Sequence, residues 1–481
     1  MTLFDLSPEA REQGLENIEI RSVTDETGKV CQGDIFVCIK GNTFDGHAHA
    51  AEMLGKGAAA VVTERDLGLK QQIIVPNSRK YFRDLASRYY GEPTKKLKLI
   101  AATGTNGKST IVNVIKYALR TLGQKAGALG TINYDTGDKI YEAHLSTPRP
   151  MEMYRFFAEM VENGVEYCAL EASSQALAQF RLYGEQFEIG IFTNLTQDHL
   201  DFHGTMENYY KAKKLLFKSC KKALICVDDK YGQRLAKEID IPVITYSAQD
   251  HADYYCVNIK GKSNGVSYWL SSVKEEKSFP VAFKMPGLFN VANSMAAIAA
   301  CTELGFSINA CVDAVCKCNG ICGRMEVIWD GDFTVICDYA HTPDALEKTL
   351  TTVKGFAEGR IICLFAAAGE RDEGKRPDMG KIVGRIADVA VLTSDNPRFE
   401  DPEKIIAQVE EGLKKQDAGY RIFVDRMEAI EYALDIAKSG DIVLLAGKGH
   451  ETYQVIGDEY LDFDEHKIVK EIMMKKTEGN A

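Results

Sequence analysis

The 481-residue sequence has no uninterrupted apolar run near the roughly 18 residues that a membrane helix needs. Its opening residues, MTLFDLSPEAREQ, hold no apolar signal core. The expectation is a cytoplasmic protein without membrane insertion. Excess positive charge is missing too. The formal net charge of -11 argues against a chain whose business is duplex nucleic acid, because neutralising phosphates needs a basic face, and leaves room only for a local basic cleft. Paired C-x-x-C spacing is also lacking. The thirteen cysteines are odd in number and scattered, and fit reduced thiols better than a disulfide framework. The cluster Cys311, Cys316, Cys318 and Cys322 reads as buried or semi-buried thiols rather than a zinc site. No internal repeat or low-complexity tract interrupts a chain that is 45% apolar and 26% charged, enough apolar material for packed cores. At about 150 residues per domain, the length implies about three domains.

What is present is alternation. Residues 1 to 93 hold short apolar strands, DIFVCI, AAAVVT and QQIIVP, then a helix-like run that stops at Gly91-Glu92-Pro93. From Lys96 the pattern becomes strand, turn, helix, repeated through LKLIAATG, YCALEASS, IGIFTNL, ALICVDD and IPVITYS, which implies parallel βαβ units. Two alternating runs around Asn264-Gly265 predict a hairpin. Past Gly323 the strands TVICDYA, IICLFAAAG, VAVLTS and IVLLAGKG alternate with amphipathic helices, a second doubly wound unit. The expected architecture is α/β in three domains. Residues 1–93 form a small N-terminal α/β domain, 94–322 a central doubly wound phosphate-loop domain with an added hairpin region, and 323–481 a C-terminal Rossmann-like domain.

The stretch LIAATGTNGKSTIVNVIKYAL carries the first chemistry. The strict Walker pattern asks for glycine five residues before Gly107, where Ala102 stands. The physics survives: Gly104 and Gly107 permit a tight backbone path, the helix N-terminus faces a phosphate, Lys108 brings charge, and Ser109 offers a hydroxyl to Mg²⁺. Further on, Glu171 ends an apolar strand and Asp198-His199 follows another. In a parallel sheet such strand ends share one edge with the loop, where carboxylate and imidazole could hold Mg²⁺ against ATP oxygens. Lys213 is harder to explain, because an ammonium has no lone pair for a metal and would repel one.

The motifs TGTNGKST, EASS, FTNLTQDHLDFHGTMENYYKAK, GLFNVAN, GRMEV, DYAHTPDALE, ERDEGKRP, SDNPR and GKGHE follow one another over nearly the whole chain. In this order they resemble the Mur ligase family of peptidoglycan and cell-wall assembly, and within it the MurE type. The resemblance implies an ADP-forming, ATP- and Mg²⁺-dependent ligase, monomeric, with one domain for the UDP end of the substrate, one for ATP and one for the incoming amino acid. The family's own loop is the shorter G-T-N-G-K-[ST] form, which accounts for Ala102. The resemblance also implies that Lys213 is carbamylated, and so able to help Ser109, Glu171 and His199 hold metal, with Lys108, Glu171, His199 and Lys213 as the catalytic set. ATP would meet Gly104, Thr105, Asn106, Gly107, Lys108, Ser109, Thr110, Asn293, Arg324 and Asp338. Thr27, Ser146, Thr147, Ser173, Gln179 and Arg181 would hold UDP-N-acetylmuramoyl-L-alanyl-D-glutamate. Arg371, Asp395, Asn396, Pro397, Arg398, Gly447 and Glu451 would hold the amino acid.

The acceptor expected is meso-diaminopimelate, because D-N-P-R accompanies family members that add it. A guanidinium at Arg398 would pair with the second carboxylate that lysine lacks. A ligase adding L-lysine or another diamino acid, a folylpolyglutamate-type ligase and a nucleotide-dependent switch are the alternatives. The chain departs from the family pattern at Glu26-Thr27-Gly28, where an arginine is usual. It departs again at Gln175, at Ile321-Cys322 before Gly323-Arg324, and at Ala366-Ala367-Ala368, where a glycine-rich turn is common.

Overall fold

The computed structural model describes residues 1–41, 44–262, 264–416 and 418–479. The chain divides into two compact units, the first built from residues 1–103, 123–190 and 212–223, the second from 104–122, 191–211 and 224–481. Among the described residues no helix is long and apolar enough to cross a membrane. All thirteen cysteines are free thiols.

In the first unit, the strands Ser22–Thr24, Asp34–Val37, Ala60–Thr63 and Gln72–Ile74 form a parallel sheet in chain order. The last three are the predicted apolar runs; the sequence left Ser22–Thr24 unmarked. The helix Ser78–Tyr89 begins where the Asn77 side chain accepts the Lys80 N–H at 2.9 Å, and its Tyr81, Phe82 and Leu85 lie in the core with Leu3, Leu6, Ile35 and Val62. A separate strand series follows. Lys98–Thr103 and Ala126–Leu129 both run parallel to Tyr167–Glu171, with Ala102 opposite Glu171. Glu171 therefore ends its strand level with the residue before Thr103, the last residue of the strand that feeds the glycine loop. Two short antiparallel strands, Asn133–Asp135 and Ile140–Glu142, extend the series.

The second unit contains the predicted hairpin, Tyr254–Lys262 against Gly265–Ser272, joined by a further antiparallel strand, Lys277–Phe283. Lys262 pairs with Gly265, so that glycine opens the second strand. Its C-terminal sheet runs Glu326–Asp330, Thr334–Asp338, Ile442–Ala446, Ile361–Phe365, Val389–Leu392, Gly419–Ile422, parallel except for the first strand.

Alternation along these strands explains the two helical layers. Ile336, Leu444, Cys363 and Ala390 point to one face, packed on the helices Pro343–Lys354, Arg376–Ile386 and Pro402–Leu413. Val335, Val443, Leu364 and Val391 point to the other, packed on Arg426–Ile436 and on Ile468, Val469 and Met473 of the C-terminal helix. Strands buried on both faces read as continuous apolar runs, as these four did in the sequence. The fold is α/β with parallel sheets.

Candidate active site

The glycine loop lies in the second unit and leads into the helix Lys108–Thr121. Gly104 and Gly107 have φ of +147° and +89°, and a Cβ on either would collide with Thr193 Oγ1 or Asn293 Oδ1 respectively, so both positions need glycine. The loop is fixed by backbone and hydroxyl bonds. Thr105 N–H donates to the Asn194 carbonyl at 2.9 Å, Asn106 N–H to Asn194 Oδ1 at 3.0 Å, and Thr193 Oγ1 to the Asn106 carbonyl at 2.6 Å. Lys108 Nζ folds back onto the carbonyls of Gly104 at 3.0 Å and Thr105 at 2.9 Å. The result is a fixed glycine loop at a helix N-terminus with a lysine folded over its carbonyls, the kind of segment that receives phosphate.

Three expected ATP residues surround this cradle differently. Asn293, on the helix Phe289–Glu303, is held by its Nδ2 donating to Asn290 Oδ1 at 2.9 Å, which aims Oδ1 at Gly107. Arg324 donates to Ser109 Oγ at 2.9 Å and lies over the Tyr339 ring at 4.6 Å. Asp338 instead spends its carboxylate on its own turn, accepting from Met325 N–H at 2.8 Å, Ala340 N–H at 3.0 Å and Thr349 Oγ1 at 3.1 Å. Burial raises its pKa above the ordinary carboxylate value. Thr110, the third residue of the helix that follows the loop, is buried.

A polar cleft in the same unit brings together His199, Arg371, Asp395, Asn396, Arg398, Gly447 and Glu451 with Asp198, read beside His199 in the sequence, and adds Asp201, Tyr339, His341 and Lys375, which the sequence reading did not assign to a site. Burial raises the Asp198 carboxyl pKa, but His199 and Lys375 outweigh it and leave the value lowered. Burial and the Lys375 ammonium push the His341 imidazole down to about 4, so it is neutral near neutrality. His199, at φ +52°, starts a short helix with Nε2 3.3 Å from Asp198 Oδ2. The quoted motifs DYAHTPDALE and ERDEGKRP contained His341 and Lys375, so a signal was present.

Arg371 and Arg398 are the uncompensated pair of this cleft. Among the described residues neither guanidinium has a carboxylate partner within ion-pair distance, and burial together with the Arg398 charge lowers the Arg371 pKa. Arg398 is held at φ +54° by its N–H donating to Val455 O at 3.1 Å and its carbonyl accepting from Gly457 N–H at 2.8 Å. Such backbone strain in a non-glycine residue persists only where the surroundings over-determine it. Opposite in sign, Glu451 accepts from Tyr339 OH at 3.2 Å and Asn396 Nδ2 at 3.0 Å, and burial and the Asp395 charge raise its pKa. Lys448, fully buried, lies 3.3 Å from Asp395 and donates to Asn396 Oδ1 at 3.0 Å. Pro397 approaches Gly369 so closely that a Cβ there would overlap its carbonyl. Gly369 alone carries that constraint, and Ala366 and Ala367 are simply buried.

The first unit gathers a second polar group. Among the described residues Glu171, 1% exposed, accepts only from neutral donors, the Thr131 N–H at 2.7 Å and its hydroxyl at 3.1 Å. Thr147 Oγ1 donates to the Glu171 carbonyl at 2.7 Å and accepts from Ser173 N–H at 3.1 Å; Ser146 Oγ accepts from Thr131 Oγ1 at 2.7 Å. Arg181 donates to the Thr147 carbonyl at 2.7 Å and to Gln179 Oε1 at 2.8 Å, and burial with the Arg149 charge lowers its pKa to about 10. Thr27 stands apart from this network, though its neighbour Glu26 lies 3.0 Å from Arg149. Lys213, 1% exposed, is also in this unit, on the helix Met206–Lys214.

Within the second unit, a glycine cradle and an arginine-rich cleft define a phosphate-loop α/β protein equipped to handle anions. Comparison with known proteins narrows the class. The Mur ligase middle domain matches residues 102–301, and the Mur ligase glutamate ligase domain matches 323–449. The chain is 43% identical over 465 residues, 95% of each chain, to UDP-N-acetylmuramoyl-L-alanyl-D-glutamate–2,6-diaminopimelate ligase 1 of Clostridium acetobutylicum. It is 42% identical, over 94% of this chain and 95% of the other, to the ligase of the same name from Geobacillus thermodenitrificans. A solved structure of a ligase with that name superimposes with a TM-score of 0.68 at 33% identity, covering 99% of both chains. The chain belongs to the Mur ligase family.

Proposed function

We propose that this chain is the ATP-dependent ligase that joins meso-diaminopimelate to UDP-N-acetylmuramoyl-L-alanyl-D-glutamate, an amide-forming step of peptidoglycan precursor synthesis. The observation that carries the acceptor is the Arg371–Arg398 pair, two guanidiniums that line one cleft with Glu451 and, among the described residues, have no carboxylate within ion-pair distance. A diamino diacid supplies both complements: its far carboxylate meets Arg398 bidentately, and its far ammonium meets Glu451. Near-full-length similarity to ligases named for this substrate supports the same reading. We read residues 1–93, 94–322 and 323–481 as the domains for UDP-substrate, ATP and amino acid.

The chemistry follows from the residues. Arg181, with Ser146, Thr147, Ser173 and Gln179, orients the glutamyl carboxylate of the donor. Thr27 belongs to the uridine end. Lys108 and the loop N–H groups take the ATP phosphates, and the carboxylate attacks the γ-phosphorus to give an acyl phosphate and ADP. The acceptor amine then attacks the acyl carbon, and the tetrahedral adduct expels phosphate to leave the amide.

Each expected Mg²⁺ ligand suits that ion by its own chemistry: among the described residues Glu171 accepts from neutral donors only, Ser109 and His199 would offer oxygen and nitrogen, and a carbamate on Lys213 would supply the oxygen that an ammonium cannot. When bound, the ion neutralises charge on the transferring phosphoryl group. With purified protein, ATP and Mg²⁺, phosphate release should require both the UDP-dipeptide and diaminopimelate. Release that ignores either substrate contradicts the assignment.

A further inference from the structure

Among the described residues one group of cysteine, histidine and carboxylate side chains has metal-ligand spacing, and it lies outside the cleft. Cys322, Glu326 and His466 each offer a ligand atom within 4.8 Å of the others. The sequence cluster of four cysteines is not what assembles: Cys311 and Cys318 are buried, whereas Cys322 is exposed and faces a strand start and a helix start instead.

Each ligand is positioned by something else. Glu326 Oε2 accepts the Gly323 N–H at 2.7 Å and lies 2.9 Å from His466 Nε2. The His466 N–H donates to Asp464 Oδ1 at 3.0 Å, and Nδ1 lies 3.7 Å from the same oxygen, placing a carboxylate behind the imidazole. A carboxylate behind a histidine is the usual support for a metal-ligating ring. The helix carrying His466 is anchored one residue earlier, where Glu465 and Arg426 form a buried pair at 2.8 Å. The backbone of Cys322 is confined by the bridge between Ile321 and Arg324.

We propose that Cys322, Glu326 and His466 form a site for a thiophilic divalent cation of the zinc class. Thiolate, imidazole and carboxylate together select zinc-type ions over Mg²⁺, which prefers oxygen alone. Three protein ligands with Cys322 at the surface leave the fourth position to water, which makes the ion exchangeable rather than a fixed structural element. The site is independent of the ligase reading, since none of its residues is assigned to ATP, donor or acceptor.

Cobalt(II) tests it. Titrated into the metal-free full-length protein, one equivalent should produce the near-ultraviolet thiolate-to-cobalt charge-transfer band with the visible bands of a four-coordinate ion, and zinc should abolish both. Cys322→Ser should remove the charge-transfer band, and Asp464→Asn should weaken cobalt binding roughly tenfold. Cys31→Ser, at the other exposed cysteine, should change nothing. His466→Gln supplies a check that leaves every thiol in place and should also lose the site. No band in excess cobalt, a band that survives Cys322→Ser, or one indifferent to His466→Gln overturns the proposal.

Discussion

The glycine loop and the arginine cleft lie in the same unit but are made in different ways. The loop is a short contiguous segment whose recognition groups are backbone N–H donors, with the neighbouring Thr193–Thr196 run fixing its path. The cleft is built from side chains carried by segments that follow five strands, residues 198–201, 339–341, 368–375, 395–398 and 447–451. A backbone site needs glycine at defined places and announces itself in sequence. A side-chain site depends on which loops the sheet order brings together.

Breaking each side separately sharpens this contrast. Lys108→Ala leaves the backbone cradle but removes its charge. Turnover should fall about 100- to 1,000-fold, the cost of losing a preorganised group at the transferring phosphoryl, while binding of diaminopimelate measured calorimetrically stays unchanged. Glu465→Ala attacks the scaffold beneath the cleft. Its partner Arg426 is fully buried and also reaches the carbonyls of Ser394 and Ala446, so an unpaired guanidinium remains, and denaturant unfolding should show a loss of about 3–5 kcal/mol.

Arg398→Ala should lower kcat/KM for diaminopimelate roughly 10- to 150-fold, the worth of a charged hydrogen-bond pair, without altering the KM for ATP. The smallest effects concern pH. The raised Glu451 pKa means that its carboxylate gains a proton at a higher pH than an ordinary glutamate. The KM for diaminopimelate should therefore climb as pH falls through that value, and Glu451→Gln should flatten the profile. For His341, lowered from 6.5 to about 4, the unfolded chain takes the proton first. Stability should decline as pH drops from 6.5 towards 4, and His341→Gln should remove that component from the unfolding profile.

The same contrast decides what could be read from sequence. Strands buried on both faces, such as Ile361–Phe365 and Ile442–Ala446, stand out as apolar runs, and the two glycines of the loop stand out because no other residue fits. The three-residue strand Ser22–Thr24 is too short to show periodicity, and its place comes from pairing with Asp34–Val37. Tyr339, His341 and Lys375 lie inside the motifs DYAHTPDALE and ERDEGKRP, yet went unassigned because nothing in their spacing says which member of a motif enters a site. Their role emerges only when the sheet sets those loops side by side. Asp338, expected at ATP by resemblance, holds its own turn in the structure, a task its position at a strand end equally suits.

Acceptor choice is the most direct measurement of the account. Given ATP, Mg²⁺, the UDP-dipeptide and equal amounts of meso-diaminopimelate and L-lysine, the wild-type protein should yield product of the diaminopimelate mass almost alone, and Arg398→Ala should erode that preference. Equal incorporation of the two amino acids by the wild-type protein would contradict it.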